Sequence, residues 1–315
     1  MKNFKYTFLL VLIIVIFPCT NFSSQIKKEK EFVWFVVQPE VELGKNIDFN
    51  VYFEDKPESI SINAKVIDGL ELTDGLDNVR PSYATSITDD NDKVITSFYK
   101  FYTYAKPTKL GRIDFPTITV KYKGKEYKST PFHINVVDNI CVNPNNVKVV
   151  WSTDKSKYKK GDSIKLSLYE YSKFSQTQRI HLPAKNVSLA GKDNQINLNV
   201  EDTLDNIAGI DDFEETLSKN FDIVNIDWNM SNFRQSMEQV GNENYVKTLI
   251  VELALTPKNK GTYSFGPSTF DYQIYKSNTD YFGKFTPNDQ GSYTVTDKGA
   301  SKLKLISNKA SIDVE

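Results

Sequence analysis

The sequence predicts an all-β protein built as two tandem β-sandwiches, and two observations carry that expectation. The first is period-two alternation, the signature of a half-buried strand with one face on a core. Gly44 is followed by Ile47, Phe49, Val51 and Phe53, alternating with Asp48, Asn50 and Tyr52. The second is that the same order of strand and turn returns later in the chain, as expected for two related domains rather than a solenoid. Gly161 is followed by Ile164, Leu166 and Leu168 alternating with Lys165 and Ser167. A later strand, Tyr99 to Ala105, leads into Pro107, Gly111, Phe115 and Pro116. Its counterpart, Leu249 to Leu255, leads into Pro257, Gly261, Phe265 and Pro267.

Composition agrees. At 315 residues the chain is long enough for two cores, and its 39% hydrophobic and 25% charged residues are those of an ordinary globular protein. Aromatics reach 13%, nearly all Phe and Tyr, which suits sheets. A formal net charge of -1 leaves no basic excess to neutralise phosphates, so nucleic acid is not an expected partner. The run Lys155, Lys157, Lys159 and Lys160 reads as a solvated turn before a strand.

Residues 1–25 read as a secretory signal peptide. Lys2 and Lys5 precede an apolar run from Phe8 to Phe17, followed by Cys19, Thr20, Asn21, Ser23 and Ser24, with cleavage expected near Ser24. An uncleaved anchor is the alternative. The expected destination is across the inner membrane, in the periplasm or at the cell surface. Removal of the signal leaves Cys141 alone, so no intramolecular disulfide is expected. Lipidation of Cys19 is disfavoured by Ile16-Phe17-Pro18, since that processing prefers small residues before the cysteine.

The first domain is placed at residues 26–138. Its strands are expected at Phe32 to Val37, Ser59 to Val66, Gly69 to Thr73, Thr117 to Tyr122, Glu126 to Lys128 and Phe132 to Val137. Lys123-Gly124-Lys125 reads as a tight turn, and Asp89-Asp90-Asn91-Asp92 as a hairpin loop between Ile87 and Val94. That loop lacks the glycine and the terminal glutamate of a calcium loop. Residues 139–146 read as a linker, rich in Asn and containing Pro144. The second domain, 147–315, ends with Ala310, Ile312 and Val314, matching Phe132, Ile134 and Val136. Ser307 matches Ser129. Phe115 and Phe265 are expected to tuck into the cores. The last strand ends at the last residue, with no further domain or membrane helix expected.

The second domain carries two insertions, one around Glu201 to Gly241 and one from about Tyr275 to Lys302. Asp212 to Asn220 reads as a helical turn or two, with acids near its positive end. Long loops on a rigid sandwich are where recognition resides. Trp228, Phe233, Tyr281, Phe282 and Phe285 are therefore candidate ligand or partner contacts. The alternative is that these aromatics anchor the loops on the sheet.

No reaction is legible. The two histidines, His133 and His181, fall in different domains without zinc-site spacing. No Gly-x-Ser-x-Gly elbow, phosphate loop or dinucleotide fingerprint occurs. Glu201, Asp202, Asp205, Asp211, Asp212, Glu214 and Glu215 crowd one polar loop, where weak calcium binding is more plausible than paired-carboxylate catalysis. No enzyme activity, catalytic residue, cofactor or metal is expected.

Some stretches are similar to a known family. Val41-Glu42-Leu43-Gly44-Lys45, the segment Lys106-Pro107-Thr108-Lys109-Leu110-Gly111-Arg112-Ile113, and Val120 to Pro131 resemble the first domain of BatD, the oxygen tolerance family. Tyr158 to Asp162, the Trp228 region and Leu255 to Gly261 resemble its second. The resemblance implies immunoglobulin-like β-sandwiches in an extracytoplasmic envelope protein linked to aerotolerance and stress tolerance, with no enzymatic activity. It implies partners among envelope proteins, including von Willebrand A domain proteins of the same system. Family members continue into further domains and a C-terminal membrane helix, so the expectation here is a short form without that helix. The function expected is a non-enzymatic interaction or scaffold module; a secreted or surface glycan- or ligand-binding protein is the alternative.

Overall fold

A computed structural model of the chain describes residues 31–88, 94–174, 176–179, 186–188, 197–199, 203–228, 235–287, 293–295 and 299–315. The signal region, the 89–92 loop, His181, Glu201, Asp202 and Phe233 lie outside these. Residues 31–315 form one compact unit with two separate hydrophobic cores.

Around the first core lie β1 (Val33–Val37), β2 (Glu40–Glu42), β3 (Ile47–Phe53), β4 (Ser59–Ile62), β5 (Leu70–Leu72), β6 (Ser82–Thr88), β7 (Val94–Pro107), β8 (Gly111–Asp114), β9 (Ile118–Tyr122), β10 (Lys125–Lys128) and β11 (His133–Val137). One layer is ordered β1-β3-β7-β5, with β6 also on β7. The other contains β2-β11-β8 and β10-β9-β4. Its β8–β9 and β10–β11 are the two arms of one long hairpin. Each arm is bent at a proline, Pro116 or Pro131, which cannot donate to a ladder. Across the bend the Phe115 N–H still reaches the Phe132 carbonyl at 2.9 Å. The hairpin tip is the expected turn: Lys123 and Gly124 both have positive φ, 49° and 72°, as a two-residue hairpin loop requires. β2 runs parallel to β11 in an otherwise antiparallel layer. This is the immunoglobulin arrangement of two facing sheets.

The second core repeats the plan with β12 (Val147–Thr153), β13 (Lys157–Tyr158), β14 (Ile164–Ser172), β15 (Gln176–Arg179), β16 (Asn186–Ser188), β17 (Asn197–Asn199), β18 (Phe221–Trp228), β19 (Gln235–Val240), β20 (Glu243–Pro257), β21 (Gly261–Phe265), β22 (Thr269–Tyr275), β23 (Phe285–Pro287), β24 (Tyr293–Val295), β25 (Ser301–Ile306) and β26 (Ala310–Val314). The order β12-β14-β20-β18, with β19 on β20, mirrors the first layer. The orders β13-β26-β21 and β15-β22-β25 mirror the second, including the parallel pair β13 and β26.

The equivalence extends to single hydrogen bonds. Ser129 Oγ accepts from the Ile118 N–H at 3.0 Å, and Ser307 Oγ accepts from the Ser268 N–H at 2.7 Å. Both serines are buried. Each hydroxyl replaces a ladder partner where the strands bend. Ser129→Ala and Ser307→Ala are each expected to cost about 1–2 kcal/mol, the price of a buried unpaired N–H. Urea midpoints check this; unchanged midpoints in both variants would remove the bonds from the account.

The alternation places Phe35, Phe49, Phe115 and Phe132 in one aromatic cluster, with ring centroids 5.0–5.9 Å apart. Phe115 and Phe265 both tuck into the cores as expected. The insertion before β18 forms α1 (Leu204–Ala208) and α2 (Phe213–Asn220). Its acids have local work. Asp205 Oδ1 accepts the Glu214 N–H at 2.8 Å at the start of α2, and Glu215 pairs with Lys219 at 2.6 Å. Among the described residues no group of three or more His, Cys, Asp or Glu could hold a metal ion. The helices also give the core Leu204, Ile207, Ala208, Phe213 and Leu217. Gly209 ends α1 at φ 63°, and a Cβ there would meet the Phe270 ring at 2.6 Å. A third short helix, α3 (Asn278–Phe282), lies in the second insertion. No helix among the described residues is long and apolar enough to cross a membrane.

Candidate interaction surface

Alternation gives the first sheet a second, outward face. Core residues of β1, β3 and β7 alternate with Trp34 and Val36, with Asp48, Asn50 and Tyr52, and with Lys100, Tyr102 and Tyr104. An outward face this aromatic needs cover. The second sandwich covers half of it. Met237 of β19 and Val246 of β20 pack on Val36 and Tyr52, and Trp34 Nε1 donates to the Gln235 carbonyl at 3.3 Å. Beside them, Asn278 Nδ2 of α3 donates to Asp48 Oδ1 at 2.6 Å, and Lys45 lies 3.6 Å from Asp280.

The joint is further tied by polar groups. Gln38 Nε2 donates to the Glu40 and Lys276 carbonyls at 2.7 and 3.1 Å. Lys276 Nζ lies 3.2 Å from Glu42 Oε1 and donates to Asn139 Oδ1 at 2.5 Å. The residues expected to form a linker are tethered in turn. Ile140 is buried, with its N–H on Glu42 Oε1 at 2.9 Å. The Tyr245 hydroxyl sits 2.8 Å from the Asn145 carbonyl and 2.9 Å from Glu243 Oε2. Lys173 pairs with Glu243 at 2.9 Å.

Lys173, and then the Tyr245 hydroxyl, hold the Glu243 carboxyl below the usual glutamate range. A folded-state pKa below the unfolded one stabilises above the unfolded value and loses that effect as pH falls through the folded value. Glu243→Gln is therefore expected to be less stable than wild type at neutral pH. The two should converge in acid, below the ordinary glutamate pKa of about 4.3. Denaturant titrations across pH 3–7 check it; a gap independent of pH would assign the loss to packing.

The other half of the face is open. Tyr102 and Tyr104 are each 39% exposed, their rings 5.2 Å apart at 72°. The Tyr102 hydroxyl donates to Asp48 Oδ1 at 3.0 Å, the same oxygen that Asn278 holds. The Lys100 ammonium lies 4.9 Å from the Tyr102 ring centroid and 5.6 Å from that of Tyr52. Burial pushes the Lys100 pKa down, with Asp48 opposing, and burial raises Tyr52 to about 12. A half-buried ammonium among tyrosine rings, beside an exposed ring pair, can attract an anion and seat an apolar group.

Three of the aromatics singled out from sequence come together elsewhere. Tyr281 lies 5.3 Å from Phe282 and 6.0 Å from Phe285, with Tyr275 5.3 Å from Tyr281. The Tyr275, Tyr281 and Phe285 rings surround Lys284, whose ammonium is 3.9 Å from the Tyr281 centroid and which is only 4% exposed. Tyr281 and Phe285 are half-buried, while Phe282 is 55% exposed. Trp228 is the last residue of β18, in register with Val251. Sequence reasoning missed Tyr102 and Tyr104 as surface residues. Their signal was the same-parity spacing of Lys100, Tyr102 and Tyr104 in one long aromatic strand.

The fold defines the class: an all-β protein of paired immunoglobulin-like sandwiches. Residues 34–136 match the family model described as a BatD DUF11-like domain. No curated protein matches the chain. Solved structures similar to it include the C-terminal domain of the Streptococcus pyogenes antigen I/II-family protein AspA. It is 10% identical at a TM-score of 0.19, over 90% of this chain and 100% of that one. The Yersinia pseudotuberculosis adhesin InvE is 12% identical at 0.16, over 88% and 58%. The mouse nectin-like molecule 4 ectodomain is 7% identical at 0.21, over 90% and 64%. Likenesses at such scores carry no argument; the fold rests on strand order.

Proposed function

We propose that this chain is a non-enzymatic, extracytoplasmic protein-interaction module, a scaffold in a BatD-like envelope assembly linked to oxygen and stress tolerance. In this reading residues 1–25 are a signal peptide, 26–138 and 147–315 are its two domains, and 139–146 join them. Von Willebrand A domain proteins of the same system are the proposed partners, on family analogy alone. The observation that carries the reading is the open Tyr102–Tyr104 pair. It lies on the domain that matches the BatD family and runs on from a joint tied at Asp48, Glu42 and Lys276. A scaffold needs such a tied joint, because a fixed angle between sandwiches holds two contact surfaces in register. The test is crosslinked recovery from the native envelope with the mature chain from about Gln25. Von Willebrand A domain proteins should be recovered by wild type and lost with Tyr102→Ser/Tyr104→Ser. Recovery of no protein sinks the reading.

The exposed ring of Phe282, beside Tyr281 and Phe285, favours a second reading. In it, Trp228, Phe233, Tyr281, Phe282 and Phe285 contact a glycan or other surface ligand. A binding sugar at a hundred times its Kd should stabilise the protein by about 2.7 kcal/mol. A flat thermal-shift panel of oligosaccharides would count against it.

A further inference from the structure

We propose that the open half of the first sheet's outer face docks an extended segment of a partner protein in which a carboxylate lies beside an aliphatic side chain. The aliphatic group sits on the Tyr102–Tyr104 ring pair and the carboxylate reaches the Lys100 ammonium. This rests on the interaction-module reading and names the chemistry of its partner.

Continuity with an existing interface is the first support. The covered half of this same face is filled by β19 and β20 of the second sandwich, which present Met237 and Val246 to Val36 and Tyr52. A strand bearing aliphatic side chains is thus what this face already accepts. The row continues without a break, since Tyr52 stands opposite Lys100 and Asn50 opposite Tyr102 in the ladder. Asp48 Oδ1 joins the halves by accepting from both Asn278 and Tyr102.

Charge is the second support. Among the described residues Lys100 makes no ion pair; its ammonium rests on the Tyr52 and Tyr102 rings. Most lysines at the joint do have acids: Lys45 has Asp280, Lys173 has Glu243, Lys247 has Glu238 and Lys276 has Glu42. The nearby acid, Asp48, already accepts two hydrogen bonds. A cation half removed from water gains most from an incoming carboxylate, because the low-dielectric setting strengthens the pair. A neutral sugar would satisfy the rings and leave the ammonium unanswered.

The test places the photo-crosslinking residue p-benzoylphenylalanine at position 104, and in parallel at Phe282 and at the exposed Val224 of β18, in the full chain in its native envelope. Crosslinked peptides are then mapped. The expected result is a protein adduct from position 104, on a segment with Asp or Glu next to Leu, Ile, Val or Met. Its yield should fall about tenfold with Lys100→Glu and recover when the mapped acid is changed to Lys. Lys100→Gln, which keeps most of the stem, should lose yield in the same direction with an unchanged melting temperature. An adduct from 104 that ignores both Lys100 changes, or one on polysaccharide or lipid, overturns the proposal. Protein adducts from 224 or 282 with none from 104 overturn it and leave the chain an interaction module whose contact surface lies off the Tyr102–Tyr104 face. No protein adduct from any position overturns both.

Discussion

Trp151→Ala is expected to cost about 3–5 kcal/mol, the range for truncating a buried aromatic, and to melt the second sandwich ahead of the first. Trp151 is 1% exposed and is among the largest fully buried side chains among the described residues. It is fixed from several directions. Its indole N–H donates to Ser268 Oγ at 2.8 Å, at the bend of the second sandwich's long hairpin. Its backbone N–H donates to Asn308 Oδ1 at 2.7 Å, and Asn308 Nδ2 returns a bond to its carbonyl at 3.0 Å. Phe213 of α2 lies 5.4 Å away, so one ring joins an edge strand, a bend and an insertion. Gly266 is shaped around it: at φ 84°, a Cβ would meet Trp151 Cδ1 at 2.8 Å and the Asn308 carbonyl oxygen at 2.5 Å. Truncation leaves a cavity in the core and an unpaired Ser268 hydroxyl. Calorimetry should show the second sandwich's transition moved down by about 6 °C or more, at the 2–4 °C per kcal/mol usual for this size. Trp151→Phe, which keeps the ring and loses the indole bond, should cost less. A Trp151→Ala melt within about 2 °C of wild type would falsify the account.

What the sequence disclosed and what it hid follow from distance along the chain. Strand alternation is local, so β1, β3, β14 and β20 stood out, as did the turn at Lys123-Gly124. The repeat made the Ser129 and Ser307 equivalence visible before any geometry. The acidic insertion was legible only in part. The helix near Asp212 to Asn220 is there as α2, but reading the segment by its charges hid Leu204, Ile207, Phe213 and Leu217, which complete the core. The joint was not legible at all. Asn278 and Asp48 are 230 residues apart, and Gln38 and Lys276 are 238 apart. No periodicity links such pairs. For the same reason, aromatics in an insertion drew attention while Tyr102 and Tyr104 were read only as part of a strand.

Glu42→Ala should loosen that joint at a cost of about 2–4 kcal/mol, because it takes the carboxylate from a partly buried cation, leaving it the Asn139 bond, and the acceptor from a buried N–H at once. Glu42 is only 9% exposed, and its Oε1 serves both Lys276 Nζ and the Ile140 N–H. Both served groups belong to segments that join the sandwiches, so the loss reaches their mutual orientation as well as their stability. Glu42→Gln keeps an acceptor of the same shape and should cost less. Lys276→Met removes the cation and should be milder than Glu42→Ala, since no charge is stranded except a carboxylate that keeps its Ile140 bond. A double-mutant cycle of Glu42→Ala and Lys276→Met is expected to show a coupling of about 1–3 kcal/mol. Small-angle scattering should show a larger radius of gyration in Glu42→Ala below its melting temperature. Additive energies and an unchanged scattering profile would mean that the apolar contacts of Met237 and Val246 hold the joint alone. The consequence for binding is specific. Asp48 links Asn278 of the second sandwich to Tyr102 on the open face, so a loosened joint should weaken partner crosslinking at position 104 with every residue of that face intact.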